Sequence, residues 1–140
     1  MADILHEVAV QAAPDKVFKA ITEQEGLAAW WTTHSVAEPK VGSTAQFSFS
    51  GGQFVITMEV SRLDRPRKVD WITRQGAPDW TGTHVTWDLT PSDGGTRILF
   101  GHRGFASAEG SLPETSYNWA CYLTSLKDYL EKGRGSPHSY

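Results

Sequence analysis

One long segment near the C-terminus limits most strongly what this chain can fold into. At 100° per residue, residues 114–132 place four apolar side chains within about 60° of arc: Trp119, Leu123, Leu126 and Leu130. This spacing predicts an amphipathic helix with one apolar stripe, and Gly133 stands where a C-cap glycine is expected. Because strand-like patterns fill the preceding half of the chain, we expect the stripe to pack on a sheet.

The hairpins of that sheet can be placed in register from the sequence. A turn at residues 50–53 and another at residues 92–95 are flanked by alternating apolar and polar residues. The predicted cross-strand pairs on the apolar face are Phe49 with Phe54, Phe47 with Ile56, Ala45 with Met58, Val60 with Trp71, Trp87 with Phe100, and Val85 with His102. A slip of one residue would mix the two faces, so the pattern supports this register.

The order of elements predicts an α+β fold. A strand at residues 5–12 is followed by two short helices, about six antiparallel strands and the long helix. A single sheet with one apolar face can bury that face by curving around the terminal helix. We therefore expect one domain over residues 1–135 and a flexible tail at residues 136–140.

Composition excludes several classes of function. The net charge of −3 gives no electrostatic reason to expect nucleic acid as a partner, and no apolar run approaches the length of a membrane span. The first residues lack the pattern of a signal peptide, and a single cysteine fits a reducing compartment. A cytoplasmic protein is expected.

The sequence contains few of the residue patterns that are typical of catalytic or metal-binding sites. Its histidines have neither paired spacing nor companion cysteines, so no metal site is predicted. The sequence contains no phosphate-binding loop, so neither a nucleotide nor another cofactor is predicted. Helical geometry places Cys121 about 160° from Trp119, away from the apolar stripe. The one catalytic candidate is His102, whose alternation puts an imidazole on the apolar face. It is either a histidine satisfied within the fold, a hydrogen-bond anchor for a ligand, or an acid/base.

Three stretches resemble a known family. The opening at residues 8–21 resembles the START-like, helix-grip (SRPBCC) superfamily. The Trp30–Trp31 pair and the ending that runs from Asn118–Trp119 to Glu131 are similar to proteins related to the activator of heat-shock protein 90 ATPase. The resemblance spans roughly residues 5 to 135, and Asn118 stands where the family often has Gly. It implies a helix-grip fold with a deep cavity for apolar small molecules.

The residues expected to line such a cavity are those that point inward from the sheet and the helices. They are Trp30, Phe47, Phe49, Phe54, Ile56, Met58, Trp71, Val85, Trp87, Phe100, His102, Trp119, Tyr122 and Leu123. A packed aromatic core is the alternative interpretation of the same residues.

Three functions remain open at this point. The first is binding of a lipid, polyketide or flavonoid-like molecule between the sheet and the long helix. The second, implied by the resemblance, is a polyketide cyclase or aromatase-like enzyme on the same scaffold, with His102 as its acid/base. The third is a co-chaperone-like module that contacts a chaperone. All three remain open because a fold does not by itself dictate function. A homodimer is compatible with each of them.

Overall fold

The computed structural model describes residues 1–139 and contains one seven-stranded antiparallel sheet and three helices. The strands are β1 Ala2–Val10, β2 His34–Val36, β3 Thr44–Phe49, β4 Phe54–Asp64, β5 Lys68–Gln75, β6 His84–Ser92 and β7 Gly95–Phe105. The helices are α1 Pro14–Thr22, α2 Gln24–Trp30 and α3 Leu112–Lys132. The curved sheet has the order β1-β7-β6-β5-β4-β3-β2, and the predicted α+β helix-grip architecture is confirmed.

The predicted hairpin registers occur in the structure. Phe47 lies opposite Ile56 across the β3–β4 hairpin, and Trp87 lies opposite Phe100 across the β6–β7 hairpin. The remaining predicted pairs on the apolar face are also present. The short edge strand β2 was not predicted, since three residues with one buried side chain carry too little periodicity to be recognised.

Helix α3 buries the apolar stripe that the sequence predicts. It begins at Leu112, two residues before the predicted start, and its four stripe residues are at most 2% exposed. Gly133 ends the helix in the left-handed conformation with a φ of 80°, and its N–H donates to the carbonyl of Tyr129.

One buried serine joins α3 to two other segments. The Ser125 hydroxyl donates to the carbonyl of Trp30 at 2.8 Å and accepts a hydrogen bond from the N–H of Ser136 at 2.7 Å. Two residues further on, His138 exchanges backbone hydrogen bonds with Trp31 and Thr33. Two residues of the predicted tail, Ser136 and His138, therefore hydrogen-bond to the rest of the chain, while Tyr140 lies outside the described residues and the flexibility of the tail stays a prediction.

Candidate ligand-binding site

Trp31 fills the middle of the space between the sheet and α3. It is 2% exposed, and its ring centroid lies 4.1 Å from that of Phe47, 5.0 Å from that of Trp119 and 6.1 Å from that of Trp71. The rings of Trp30, Trp87 and Phe100 continue the same packed cluster. Free volume consequently does not extend along the whole sheet, and an aromatic-lined cavity lies at one end of α3.

This end cavity has a volume of about 480 Å³. Its floor consists of buried side chains, namely Trp31, Phe49, Ile56, Trp80, Thr115 and Trp119. Its rim consists of half-buried or exposed residues, namely Ser50, Phe54, Ala77, Ser111, Glu114, Asn118, Tyr122 and His138. The volume lies within the range of about 300–1,000 Å³ that is usual for small-molecule sites.

Four parts of the chain join Trp31, at the end of α2, in lining the cavity. The β3–β4 hairpin contributes Phe49 and Phe54 on either side of its turn, and a short 3₁₀ turn at Pro78–Trp80 contributes Trp80. The first half of α3 supplies the third wall, since residues four apart on a helix share a face. The fourth part is the C-terminal tail, where the ring of His138 lies 5.1 Å from that of Phe49.

His102 lies behind the floor of the cavity, and protein groups occupy both of its ring nitrogens. The Trp119 Nε1–H donates to Nδ1 at 3.1 Å, so Nδ1 carries no proton. The neutral ring then holds its proton on Nε2, which lies 2.8 Å from the Thr83 hydroxyl. Burial lowers the pKa of His102 from 6.5 to about 4, against a smaller opposing effect of Asp79. His102 is thus a neutral structural group that fixes the Trp119 ring.

A second hydrogen-bonded chain supports the rim. The Trp80 Nε1–H donates to the Thr115 hydroxyl at 3.2 Å, and the Ser111 hydroxyl donates to the Asp79 carboxylate. The Ser111 N–H donates to the other Asp79 oxygen at 3.1 Å. These bonds from Ser111 lower the pKa of Asp79, while burial raises the pKa of the rim residue Tyr122.

The structure separates the predicted site residues into two groups. Five line the end cavity: Phe49, Phe54, Ile56, Trp119 and Tyr122. Nine are packed elsewhere in the interior: Trp30, Phe47, Met58, Trp71, Val85, Trp87, Phe100, His102 and Leu123. Strand alternation places all of these residues except the helical ones on one face, but it does not say which part of that face stays uncovered.

Sequence reasoning missed several lining residues for identifiable reasons. Trp31 is the C-cap of α2, where the helical phase no longer fixes the direction of a side chain. Glu114 and Asn118 precede Tyr122 by eight and four residues, so the helical phase of Tyr122 could have indicated them. Trp80 carried a weak signal as a tryptophan in a proline-containing connection. No sequence signal indicated His138.

The described residues contain neither a cluster of metal-ligating side chains nor a helix that could span a membrane. Among residues 1–139, there is no group of three or more His, Cys, Asp or Glu side chains that could hold a metal ion. Within the same residues, no helix has the length and apolarity needed to cross a membrane.

Comparison with solved structures identifies proteins of the same fold. The Aha1 dimer from Colwellia psychrerythraea has a TM-score of 0.88 and 32% identity, over 96% of this chain and 100% of that one. Protein SSP2350 from Staphylococcus saprophyticus has a TM-score of 0.80 and 20% identity, over 96% of each chain. DynU16, a putative protein in the dynemicin biosynthetic locus, has a TM-score of 0.78 and 22% identity, over 95% of this chain and 48% of its own. The last two likenesses concern the fold alone.

Sequence comparison gives the family. No curated protein sequence matches this chain. The family model described as "Activator of Hsp90 ATPase homolog 1-like protein" matches residues 11–131, which is well over half of the chain. This match agrees with the resemblance in the opening segment, the tryptophan pair and the C-terminal helix. The chain belongs to the Activator of Hsp90 ATPase homolog 1-like family.

Proposed function

We propose that this protein binds an apolar or amphipathic small molecule in the end cavity. The observation that carries the proposal is a cavity of about 480 Å³ whose buried floor is mostly aromatic and whose rim is mostly polar. Small-molecule sites commonly combine apolar walls with a few polar groups that set orientation. Lipids, polyketides and flavonoid-like compounds are the classes we would test first.

Apolar contact with the floor would supply most of the affinity. Each ~100 Å² of apolar surface removed from water contributes about 2.5 kcal/mol before the entropic costs of association. Two of the three indoles of the floor, those of Trp80 and Trp119, are already fixed by hydrogen bonds to Thr115 and His102. A floor whose side chains are ordered in advance loses little further freedom when a ligand enters.

The cyclase or aromatase alternative has less support. Its proposed acid/base was His102, but both ring nitrogens of this residue are engaged by Trp119 and Thr83, and it does not line the cavity. Glu114, Tyr122 and His138 are the titratable groups on the rim. No observation favours turnover over binding by these groups.

Two further properties belong to the same proposal. The lone and exposed Cys121 suits a reducing compartment, so we place the protein in the cytoplasm. The relative from Colwellia psychrerythraea is described as a dimer, and we propose a homodimer here as well. Light scattering coupled to size-exclusion chromatography measures this directly. A monomeric mass over the micromolar range would reject the dimer without affecting the cavity.

Ligand binding can be tested with N-phenyl-1-naphthylamine, a neutral fluorophore whose emission rises in apolar surroundings. We expect saturable binding at micromolar concentration, accompanied by quenching of tryptophan fluorescence. Ala77→Phe places a ring at the rim, where Ala77 is half-buried, and is expected to weaken binding at least tenfold. Thr81→Phe, in the same connection but exposed and outside the cavity, is the matched control.

The outcomes separate the hypotheses. Binding that is lost in Ala77→Phe and kept in Thr81→Phe supports the end cavity as the site. If both variants bind like the unmodified protein, the probe binds elsewhere and the proposal is wrong. Absence of saturable binding, together with no co-purified mass in native mass spectrometry, also rejects it. A protein partner then becomes the leading alternative.

A further inference from the structure

The rim of the end cavity carries a carboxylate. Among the described residues, Glu114 lines the rim, whereas no Lys or Arg side chain does. The Glu114 side chain is exposed and, within residues 1–139, makes no hydrogen bond or ion pair, so its carboxylate is available to a ligand. The other polar residues of the rim are Ser50, Ser111, Asn118, Tyr122 and His138.

A helix N-terminus usually favours anions, but here protein carboxylates already occupy that position. Asp79 accepts hydrogen bonds from the N–H and the hydroxyl of Ser111, the residue immediately before α3. Glu114 adds a second negative charge in the first turn. Two carboxylates outweigh the roughly +0.5 elementary charge of a helix N-terminus. An anionic ligand headgroup would therefore meet repulsion at this end of α3.

The aromatic lining favours the opposite charge. Five aromatic rings of Trp and Phe residues line the cavity: Trp31, Phe49, Phe54, Trp80 and Trp119. Aromatic rings attract a cation through their negative faces, and the attraction is larger for Trp and at desolvated sites. A carboxylate at the rim of an aromatic site supplies the counter-charge.

We infer that the end cavity selects a cationic amphiphile, whose apolar part packs on the aromatic floor while its ammonium group lies between Glu114 and the aromatic rings nearest the rim. This inference rests on the proposed function and narrows its ligand class. Fatty acids and other anionic amphiphiles become the disfavoured ligands, although their apolar parts would fit the same floor.

The test uses three probes with the same apolar chain: decyltrimethylammonium, decanoate and 1-decanol. Each displaces N-phenyl-1-naphthylamine from the protein at pH 8, at low salt and below its micelle concentration. We expect decyltrimethylammonium to bind about tenfold more tightly than decanoate, with 1-decanol between them. Glu114→Gln should reduce this preference about fivefold. Glu109→Gln, which removes an equal charge in the loop before α3 and lies outside the cavity, should keep the preference.

Each result has a separate meaning. A preference for the cation that falls in Glu114→Gln alone supports the inference. Equal or tighter binding of decanoate overturns it and leaves the proposed binding function intact, because the apolar chain still binds. An equal loss in Glu114→Gln and Glu109→Gln also overturns it, since the preference would then reflect the overall charge. If none of the probes, nor the fluorophore itself, binds, the proposed function fails as well.

Discussion

Acid should destabilise this protein through His102 well before its carboxylates are protonated. The imidazole is fully buried, accepts a hydrogen bond from the Trp119 indole on one nitrogen and contacts the Thr83 hydroxyl through the other. Burial lowers its folded-state pKa to about 4, compared with an ordinary value of 6.5. Between these two values the unfolded chain binds one proton that the folded protein excludes. The contribution of the neutral imidazole to the free energy of unfolding is therefore present above pH 6.5 and is lost as the pH is lowered through this window.

The size of the effect follows from the two pKa values of His102. Lowering the pH from 7 to 5 should remove about 2 kcal/mol of unfolding free energy, and the total loss below pH 4 should reach about 3 kcal/mol. Carboxylates with lowered pKa, such as Asp79 and Glu131, lose their contribution only at more acidic pH. The interval from pH 5 to 7.5 therefore isolates the histidine.

Urea unfolding followed by tryptophan fluorescence at half-unit pH steps measures this slope. His102→Gln should lower stability at pH 7, since its amide replaces the ring imperfectly, but it should remove about 2 kcal/mol of the pH dependence between pH 7 and 5. His84→Gln, on the neighbouring strand β6, is exposed and should keep the wild-type slope. An unchanged slope in His102→Gln would refute the reasoning, because the proton uptake would then belong to another group.

Three further predictions concern stability. Trp31→Ala empties the centre of the aromatic cluster and should cost about 3–5 kcal/mol by chemical denaturation, whereas Tyr117→Ala, 71% exposed, should stay within about 0.5 kcal/mol. Ser125→Ala leaves a buried carbonyl and a tail N–H without their partner and should cost about 1–3 kcal/mol, while the exposed Thr124→Ala serves as the control. Gly133→Ala forces an alanine into the left-handed region and should cost about 1–2 kcal/mol, so an unchanged melting temperature would contradict its role as a cap.

Much of the fold could be predicted because its signals are periodic and local. The register of the β3–β4 hairpin follows from alternation around one turn, and the stripe of α3 follows from spacings of three and four residues. Helical phase also placed Cys121 on the outer face, where it is exposed. The edge strand β2 escaped prediction because its three residues are too few to establish a period.

The lining of the end cavity was predicted less completely because it depends on contacts between distant segments. Trp119 and Tyr122 were found from their helical phase, whereas Trp80 and His138 reach the cavity through a loop and a tail that have no period. His102 was placed on the correct face, but its role required its partners to be known. Trp119 lies 17 residues away in the chain, and Thr83 lies 19 residues away.

The sequence by itself determined the order of elements, the faces of the sheet and the buried side of α3, because a side-chain period ties each residue to a face without reference to the rest of the chain. Only the tertiary structure decided where space remains between those faces. Free volume is the small difference between the space that the backbone encloses and the volume of the side chains within it. One indole at the end of α2, that of Trp31, closes the middle of this space and leaves the end beside Trp80 and Tyr122 open.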